Sequence, residues 1–436
     1  MNQLRRKLLQ TALFGSGLVG LKSLVTGVPL SWFREGVLHA EPAAQPSFLL
    51  LSTVSSCDPV NANAPGSFVD GTEHLDAPDL AATDVTLGSA SARGAARWAA
   101  VPQDLRARMS FIHHRTNSNA HPEFPKVQAL FGAAKAATGN GQEMVASLFA
   151  QENAKALGTI QTEPVPLGGE LISFQSRPLA NIRPSDLKGL FSAPEALAAK
   201  LQELRDTELD AMYATLKANG NRYQRTMLDR YVLARTQTRQ LGDGLAALLT
   251  RLPLDPTTPN TPNDQLLAAI ALFKLKVAPA VTVHLPFGGD NHNDADLADE
   301  LEQTVASISS LEFLWSELTA ADLQDRVTFA SFNTFGRTLK RNSRGGRDHN
   351  GGHHVMLLFG PKIRGSVVGG IAPEGNDFTA SAFDAASGAV TETGDVQPVD
   401  SLASAAKTLG TALGVAADVL EHRINSGKVI TAALTA

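Results

Sequence analysis

Cysteine and the larger aromatic residues are scarce in this chain of 436 residues. Cys57 is its only cysteine, so no internal disulfide can form and assembly requires no oxidising compartment. Three tryptophans and three tyrosines give little support for a polysaccharide-binding module, which would need exposed aromatic rings. The net charge is -5, and no dense Lys/Arg run occurs beyond the N-terminal segment. This composition argues against a nucleic-acid partner and indicates a slightly acidic globular protein.

The N-terminal segment lacks the apolar character of a permanent membrane span. Residues Thr11 to Leu30 are only mildly apolar and include Lys22 and four glycines. The preceding run Leu4-Arg5-Arg6-Lys7-Leu8-Leu9 is typical of a twin-arginine export signal. We therefore predict that residues 1–44 are a signal and linker read by the twin-arginine export machinery, and that the protein is periplasmic or extracellular.

Short apolar runs alternate with helical periodicity along the rest of the chain. Strands are predicted at Phe48 to Val54, Met109 to His114, Val277 to Leu285, Val327 to Ser331 and Val355 to Phe359. This alternation predicts an α/β fold with a mainly parallel central sheet and helices on both faces. We expect residues 45–436 to form a single α/β domain.

Four regions between the predicted strands have a recognisable composition or periodicity. Residues 195–252 carry leucines at helical spacing and predict a helical insertion, whereas Asn61 to Ala92 is rich in Gly, Pro, Asp and Ser and predicts a loop. Helices are further predicted at Gln265 to Lys276 and at Asp296 to Leu318, and the second carries an apolar stripe.

The run Gly345 to His354 has the composition of a metal site. It places Asp348, His349, His353 and His354 among four glycines just before an apolar strand. Carboxylate oxygens and imidazole nitrogens are good ligands for zinc and other divalent ions. Taken alone, the run also fits a solvated polar turn.

Two further clusters follow predicted strands. Gly289-Asp290-Asn291-His292 comes after the third strand, and Ser55-Ser56-Cys57-Asp58 comes after the first. In an open α/β sheet, ligands gather at the carboxyl edge of the strands. We therefore expect the three clusters to lie near one another.

The segment around Cys57 also partly matches the Cys-x-Pro-x-Arg signature of sulfatases. Asn61 stands where that signature has arginine, so the match is rejected. Cys57 is interpreted as a small packing residue at a strand end.

Several motifs in the C-terminal third resemble a secreted bacterial family, the domain of unknown function 1501 family. They are Ser331-Phe332-Asn333-Thr334-Phe335-Gly336-Arg337-Thr338, Gly346-Arg347-Asp348-His349-Asn350 and Gly360-Pro361-Lys362-Ile363-Arg364-Gly365. Gly289-Asp290-Asn291-His292 is similar to a further element of that family, and Ser55 to Asp58 to its opening motif. Thr334 stands where the family usually has Glu, and Ser55-Ser56 where it has Gly-Gly.

The resemblance implies an alkaline-phosphatase-like fold of the alkaline phosphatase and sulfatase superfamily. It implies a divalent metal, with zinc favoured over manganese or calcium. The ligands carried over from the family are Asp58, Asp290, His292, Asp348 and His349. Metal-dependent hydrolysis of phosphate or sulfate esters would follow, on an anionic small-molecule or polymer substrate.

Candidate catalytic residues are Thr116, Ser118 and Arg347. The two hydroxyls follow the second strand, where a nucleophile meets backbone amides, although both also fit a simple turn cap. Arg347, or else Arg115, would hold a substrate oxygen through its planar fork. His113, His114 and His121 either belong to the site or line its entrance. The alternative function is a catalytically inactive metal-binding or surface-interaction protein of the same fold.

Overall fold

A computed structural model describes most of the chain beyond the N-terminal segment. The described residues are 46–55, 61–137, 141–168, 170–191, 196–219, 225, 260–287 and 289–435. The predicted signal, Cys57, Asp58 and most of the second half of the predicted helical insertion lie outside them. Within the described residues, no helix is both long and apolar enough to cross a membrane.

The strands and helices of the described part have the following bounds. The strands are β1 Phe48–Ser52, β2 Ala82–Leu87, β3 Ala90–Ala95, β4 Met109–His114, β5 Val165–Pro166, β6 Ser173–Phe174, β7 Arg177–Pro178, β8 Ala280–Val283, β9 Val327–Ser331, β10 Gly336–Arg337, β11 His349–Asn350, β12 His354–Phe359, β13 Ser366–Val368, β14 Ile371–Glu374 and β15 Asp377–Ala380. The helices are Ala96–Ala99, Gln103–Arg106, Phe124–Gln128, Val145–Leu157, Pro184–Phe191, Ala196–Asn219, Pro262–Lys274, Ala298–Ala320, Ser401–Ala412 and Ala417–Arg423.

The central sheet has seven strands in the order β13-β4-β12-β9-β1-β8-β5. The pairs β1 with β8, β1 with β9, β8 with β5, and β13 with β4 are parallel. Strand β12 is antiparallel to both of its neighbours, β4 and β9. The chain is therefore α/β with a mainly parallel sheet, as the sequence predicts.

Helices cover both faces of this sheet. Alternate residues of β1 point into two separate cores, with Phe48 and Leu50 in one and Leu49 and Leu51 in the other. The first core includes the apolar stripes of Pro262–Lys274 and Ala298–Ala320. The second includes those of Val145–Leu157, Ser401–Ala412 and Ala417–Arg423. A strand buried on both faces explains why β1 is an unbroken apolar run.

The helix before β8 shows how the local sequence sets an element boundary. Thr261 caps Pro262–Lys274: its Oγ1 accepts a bond from the Asp264 amide at 3.1 Å, while the Asp264 carboxylate accepts from the Thr261 amide at 3.4 Å. This capping box satisfies amides that the first helical turn leaves unpaired. Proline at the first helical position has the backbone angle that a helix start needs.

Most predicted elements have the expected type, and several differ from their predicted bounds. Strands β4 and β9 have the predicted bounds, whereas β8 is shorter than the apolar run around it. The predicted loop between Asn61 and Ala92 is partly wrong, because β2 and the start of β3 form a hairpin inside it. Only Val85 and Leu87 are buried on β2, so its apolar pattern is too weak to signal a strand.

Candidate metal centre

Loops from five strands meet at one edge of the central sheet. Strands β1, β4, β8 and β9 run parallel and end at this edge, whereas the antiparallel β12 begins there. The segments after β1, β4, β8 and β9 and the segment before β12 therefore approach one another. Three of them supply polar side chains to a cluster defined by His121, which follows β4, by Asp290 and His292, which follow β8, and by Asp348 and His349, which precede β12.

Three members of this cluster have the geometry to hold a metal ion. One side-chain ligand atom from each of His121, Asp290 and His349 lies within 4.8 Å of the other two. His292 adjoins them, with its Nε2 atom 3.0 Å from Nε2 of His349 and 3.3 Å from an Asp290 carboxylate oxygen. Imidazole and carboxylate ligands in such numbers are typical of zinc sites.

The hydrogen bonds of His292 and His349 fix which ring nitrogen carries the hydrogen. His292 Nδ1 lies 2.9 Å from Asp348 Oδ1, and His349 Nδ1 lies 2.7 Å from the carbonyl oxygen of Asn119. A carboxylate and a carbonyl oxygen only accept, so both Nδ1 atoms donate. In the neutral rings, both Nε2 atoms then present lone pairs to each other. A cation between or beside them would remove this repulsion, so the donor set fits a bound metal.

His121 is oriented in the same way. Its Nδ1 lies 3.0 Å from the carbonyl oxygen of Ser55, which leaves Nε2 as the acceptor nitrogen. The ring packs edge-on against Phe335 at 4.9 Å between centroids, and Phe335 stacks on His349 at 4.1 Å. Phe335 therefore packs against two candidate ligands, whose own rings lie edge to face with centroids 4.7 Å apart.

The pKa shifts of His349 and Asp348 suit metal binding. Burial is the main cause that lowers the pKa of His349, opposed by its bond to Asn119. Hydrogen bonds from Asn342 and His292 lower the pKa of Asp348, against a small effect of burial. Both shifts favour a neutral imidazole and an ionised carboxylate at neutral pH, which are the forms that a metal site uses.

Asp348 contacts the outer side of His292. Its Oδ1 atom accepts from His292 Nδ1 and, at 2.9 Å, from Asn342 Nδ2. In metal sites, a carboxylate on the far nitrogen of a histidine ligand orients the ring and raises its basicity. The geometry thus places Asp348 behind His292 and places His121 among the candidate ligands instead.

Arg337 is the buried cation beside the cluster. Its side chain is 4% exposed and its Nη2 atom donates to the Gly289 carbonyl at 2.6 Å and to Asp290 at 3.3 Å. Its Nη1 atom lies 3.4 Å from Nε2 of His292, and the guanidinium lies over the Phe335 ring. Arg337 belongs to the motif Ser331 to Thr338, but nothing in the sequence distinguishes its role from that of the other arginines.

Arg347 is instead a structural residue, which corrects its prediction as a substrate contact. Its fully buried side chain forms an ion pair with Glu300, with Nε 2.5 Å from Oε2. The remaining donors bind the carbonyl oxygens of Thr338 and Glu73. No face of this guanidinium is open to a substrate. Arg115 forms an ion pair with Glu374, whose carboxylate lies 3.9 Å from its Nη1.

The two predicted nucleophiles, Thr116 and Ser118, are buried and form hydrogen bonds within the segment that follows β4. Thr116 Oγ1 donates to the Ser118 carbonyl at 3.4 Å, and Ser118 Oγ donates to Glu123 at 2.8 Å. The following Asn119 supports the cluster through its carbonyl bond to His349. The turn-cap reading of Thr116 and Ser118 is thus the one that the geometry favours.

Two pairs of buried histidines link β4 to β12 and to the residue just before it. His113 Nδ1 lies 2.9 Å from His353 Nε2, and His114 Nε2 lies 3.0 Å from His354 Nδ1. Burial lowers the pKa of His113 and of His114 to about 4 and holds those of His353 and His354 well below the ordinary value. These four neutral rings form hydrogen bonds within the core. Of His113, His114 and His121, the cluster includes only His121.

An open pocket of about 640 Å³ lies beside His121. Its polar lining includes Ser55, His121 and Glu170. The remaining wall is mostly apolar, formed by Pro122, Phe124, Pro125, Met144, Leu171 and Pro178. His121 thus belongs both to the cluster and to the pocket wall.

Comparisons with known proteins provide no family assignment. No family model and no curated protein matches the chain. Among solved structures, the chain is similar to the crystal structure of Ps i-CgsB in complex with k-i-k-neocarrahexaose. The sequence identity is 12% and the TM-score 0.37, with 88% of this chain and 75% of that chain covered. A likeness at this level carries no argument about activity.

Proposed function

We propose that this protein is a metal-dependent hydrolase of phosphate or sulfate esters with an alkaline-phosphatase-like fold. The observation that carries the proposal is the meeting of His121, Asp290 and His349 within 4.8 Å at the carboxyl edge of a mainly parallel sheet. Active sites of open α/β sheets lie at this edge. The motif resemblance to the domain of unknown function 1501 family supports the same fold and chemistry.

The residues that would hold the metal are His121, Asp290, His292 and His349. Zinc is the favoured ion because three imidazoles and one carboxylate suit it, with manganese or calcium as alternatives. Asp58 remains a proposed ligand, and Asp348 is proposed to orient His292. A bound divalent ion would supply charge stabilisation for the oxygens of an anionic ester.

The chain itself contributes a second positive charge. Arg337 is held by the Gly289 carbonyl and by Asp290, so its guanidinium stays beside the cluster. A buried guanidinium forms strong charge-assisted bonds to phosphate or sulfate oxygens. Arg337 is therefore the residue proposed to bind the substrate anion, in place of Arg347.

We also propose that the protein is exported to the periplasm or the extracellular space. This rests on the twin-arginine motif at Arg5-Arg6. Replacing both arginines with lysine should retain the full-length precursor in the cytoplasm. Cell fractionation with a reporter fused to the C-terminus would test this, and unchanged export would refute the signal assignment.

The test of the proposed function is elemental analysis of the natively purified protein, together with hydrolysis of generic aryl phosphate and aryl sulfate esters. Near-stoichiometric metal with turnover that a chelator abolishes supports the hydrolase. Turnover that survives complete metal removal, or the absence of both metal and turnover, would overturn the proposal.

A second candidate function is a metal-binding protein without catalysis. The observation that favours it is the burial of Thr116 and Ser118, which removes both predicted nucleophiles from the cluster. Stoichiometric metal without turnover on any phosphate or sulfate ester would favour this candidate over the hydrolase.

A further inference from the structure

Ser55 connects the candidate metal centre to the adjacent pocket. It lies three residues beyond β1, the strand between β9 and β8 in the middle of the sheet. Its carbonyl oxygen accepts from His121 Nδ1 at 3.0 Å, so its backbone fixes a candidate ligand. Its side chain bonds to Glu170, and Ser55, Glu170 and His121 all line the pocket.

The bond between Ser55 and Glu170 has the form of a nucleophile beside a base. Ser55 Oγ donates to Glu170 Oε1 at 2.5 Å, and the Ser55 amide donates to the same oxygen at 3.0 Å. A serine hydroxyl is activated when a base lies within hydrogen-bond reach and is itself held in place. The hydrogen bond from the Ser55 amide holds the Glu170 carboxylate in place. Both residues are only half-buried, so the pair is open to a ligand.

The buried hydroxyls of Thr116 and Ser118 contrast with this arrangement. Ser118 donates to Glu123, but it is 3% exposed and does not line the pocket. The Ser55 hydroxyl has a carboxylate acceptor and is accessible from the pocket, and the Ser55 carbonyl oxygen is hydrogen-bonded to His121. These three properties together distinguish it from the hydroxyls that the sequence singles out.

We propose that Ser55 is the catalytic nucleophile and Glu170 its general base, an inference that rests on the proposed function. Ser55 Oγ forms a bond to the phosphorus or sulfur atom as the bond from that atom to the leaving-group oxygen breaks. The hydroxyl proton passes to Glu170, which returns it to the leaving oxygen. Water then cleaves the serine ester and regenerates the hydroxyl, so water is the only co-reactant.

The pocket defines the substrate class. Its wall beyond Ser55 and Glu170 is formed mainly by proline, Phe124, Met144 and Leu171 side chains. Such a surface favours an apolar or planar leaving group, such as an aryl group, over a small charged one. The substrate is therefore an ester that joins a phosphate or sulfate to an apolar alcohol.

The experiment combines covalent trapping with matched variants of the full chain. The native protein is incubated with an aryl phosphate or aryl sulfate, quenched with acid and mapped by peptide mass spectrometry. We expect one phosphoryl or sulfuryl group on the peptide that contains Ser55. Ser55→Ala should lose the adduct and at least about 10³-fold in turnover. Its metal content should be unchanged, because the backbone of Ser55, not its side chain, contacts His121.

Two further variants separate catalysis from structure. Glu170→Gln should slow formation of the adduct and remove one ionisation from the pH profile of turnover. Ser309→Ala, at an exposed serine on Ala298–Ala320, should match the native protein. If the native protein binds metal and turns over substrate while Ser55→Ala keeps full activity, this inference fails and the proposed function stands. If the native protein has neither metal nor turnover, both fail.

Discussion

The Nε2 atoms of His292 and His349 lie 3.0 Å apart, while the Nδ1 atom of each ring faces a fixed acceptor. Two neutral rings held in this way turn their lone pairs toward each other. A bound cation would make the arrangement favourable. We therefore predict that His349→Ala lowers bound metal from near one equivalent to a small fraction of it, measured by elemental analysis.

The matched control for this substitution is His422→Ala. His422 is exposed on Ala417–Arg423, outside the cluster. Metal should also stabilise the native protein by about 2.7 kcal/mol at a free concentration 100-fold above its dissociation constant, and His349→Ala should lose this gain. Equal metal content in the two variants would remove His349 from the ligand set.

Asp348 should affect metal affinity through His292. Its carboxylate fixes His292 Nδ1 and accepts a second bond from Asn342. Asp348→Ala should weaken metal binding by about 10- to 100-fold without abolishing it, because the ligands themselves remain. Competition titration with a chromophoric chelator measures this change. Asp84→Ala, at an exposed position on β2, should bind as the native protein does. Complete loss of metal from Asp348→Ala would instead indicate a direct ligand.

The positions of the strand ends were enough to predict that Asp290 and His292 lie near Asp348 and His349. Apolar runs identified β1, β8, β9 and β12, and the rule that ligands gather at the carboxyl edge placed Asp290 and His292 near Asp348 and His349. Strand β12 contributes for a different reason, since it is antiparallel and its preceding loop meets that edge. The sequence motifs assigned this loop to the site but did not show that the strand after it is antiparallel.

The sequence could not show which polar side chains are buried or which distant residues they contact. Arg337 and Arg347 each directly follow a glycine, and only the tertiary contact with Glu300 makes Arg347 structural. His121 follows β4 by seven residues, beyond the reach of any periodic signal. Glu170 is brought to Ser55 across a sequence separation of 115 residues. Such pairings depend on long-range packing, which composition and spacing do not encode.

Arg347 should contribute to stability more than to catalysis. Its ion pair with Glu300 is buried, with side-chain exposures of 0% and 7%. Removing one partner leaves the other charge unpaired in the core, which costs about 3–5 kcal/mol. Arg347→Met should lower the free energy of unfolding by this amount in chemical denaturation. The double variant Arg347→Met with Glu300→Leu should lose less than the sum of the single changes.

Arg344→Met is the control for this prediction because it lies in the same loop but is 58% exposed. Arg344→Met should change the free energy of unfolding by no more than about 0.5 kcal/mol. An Arg347→Met variant with native stability and lost turnover would restore the role of Arg347 as a substrate contact.

The buried histidine pairs should make the free energy of unfolding depend on pH. His113 and His114 have folded-state pKa values of about 4, below the ordinary 6.5. Below pH 6.5 the unfolded chain therefore binds protons that the folded chain excludes, and stability falls as the pH is lowered toward 4. Each of these histidines accounts for a loss of about 3 kcal/mol over that window. The free energy of unfolding, measured by denaturant titration between pH 7 and 4, should show this decline.

His113→Gln tests whether the slope comes from these rings. The ring of His113 contacts His353 and the carbonyl oxygen of Pro65, so the substitution also weakens the core at every pH. The pH dependence is the separate readout: the slope should decrease by about one proton, or about 1.4 kcal/mol per pH unit, within the window. His422→Gln, at an exposed histidine, should leave the slope as it is. An unchanged slope in His113→Gln would mean that other groups carry the acid sensitivity.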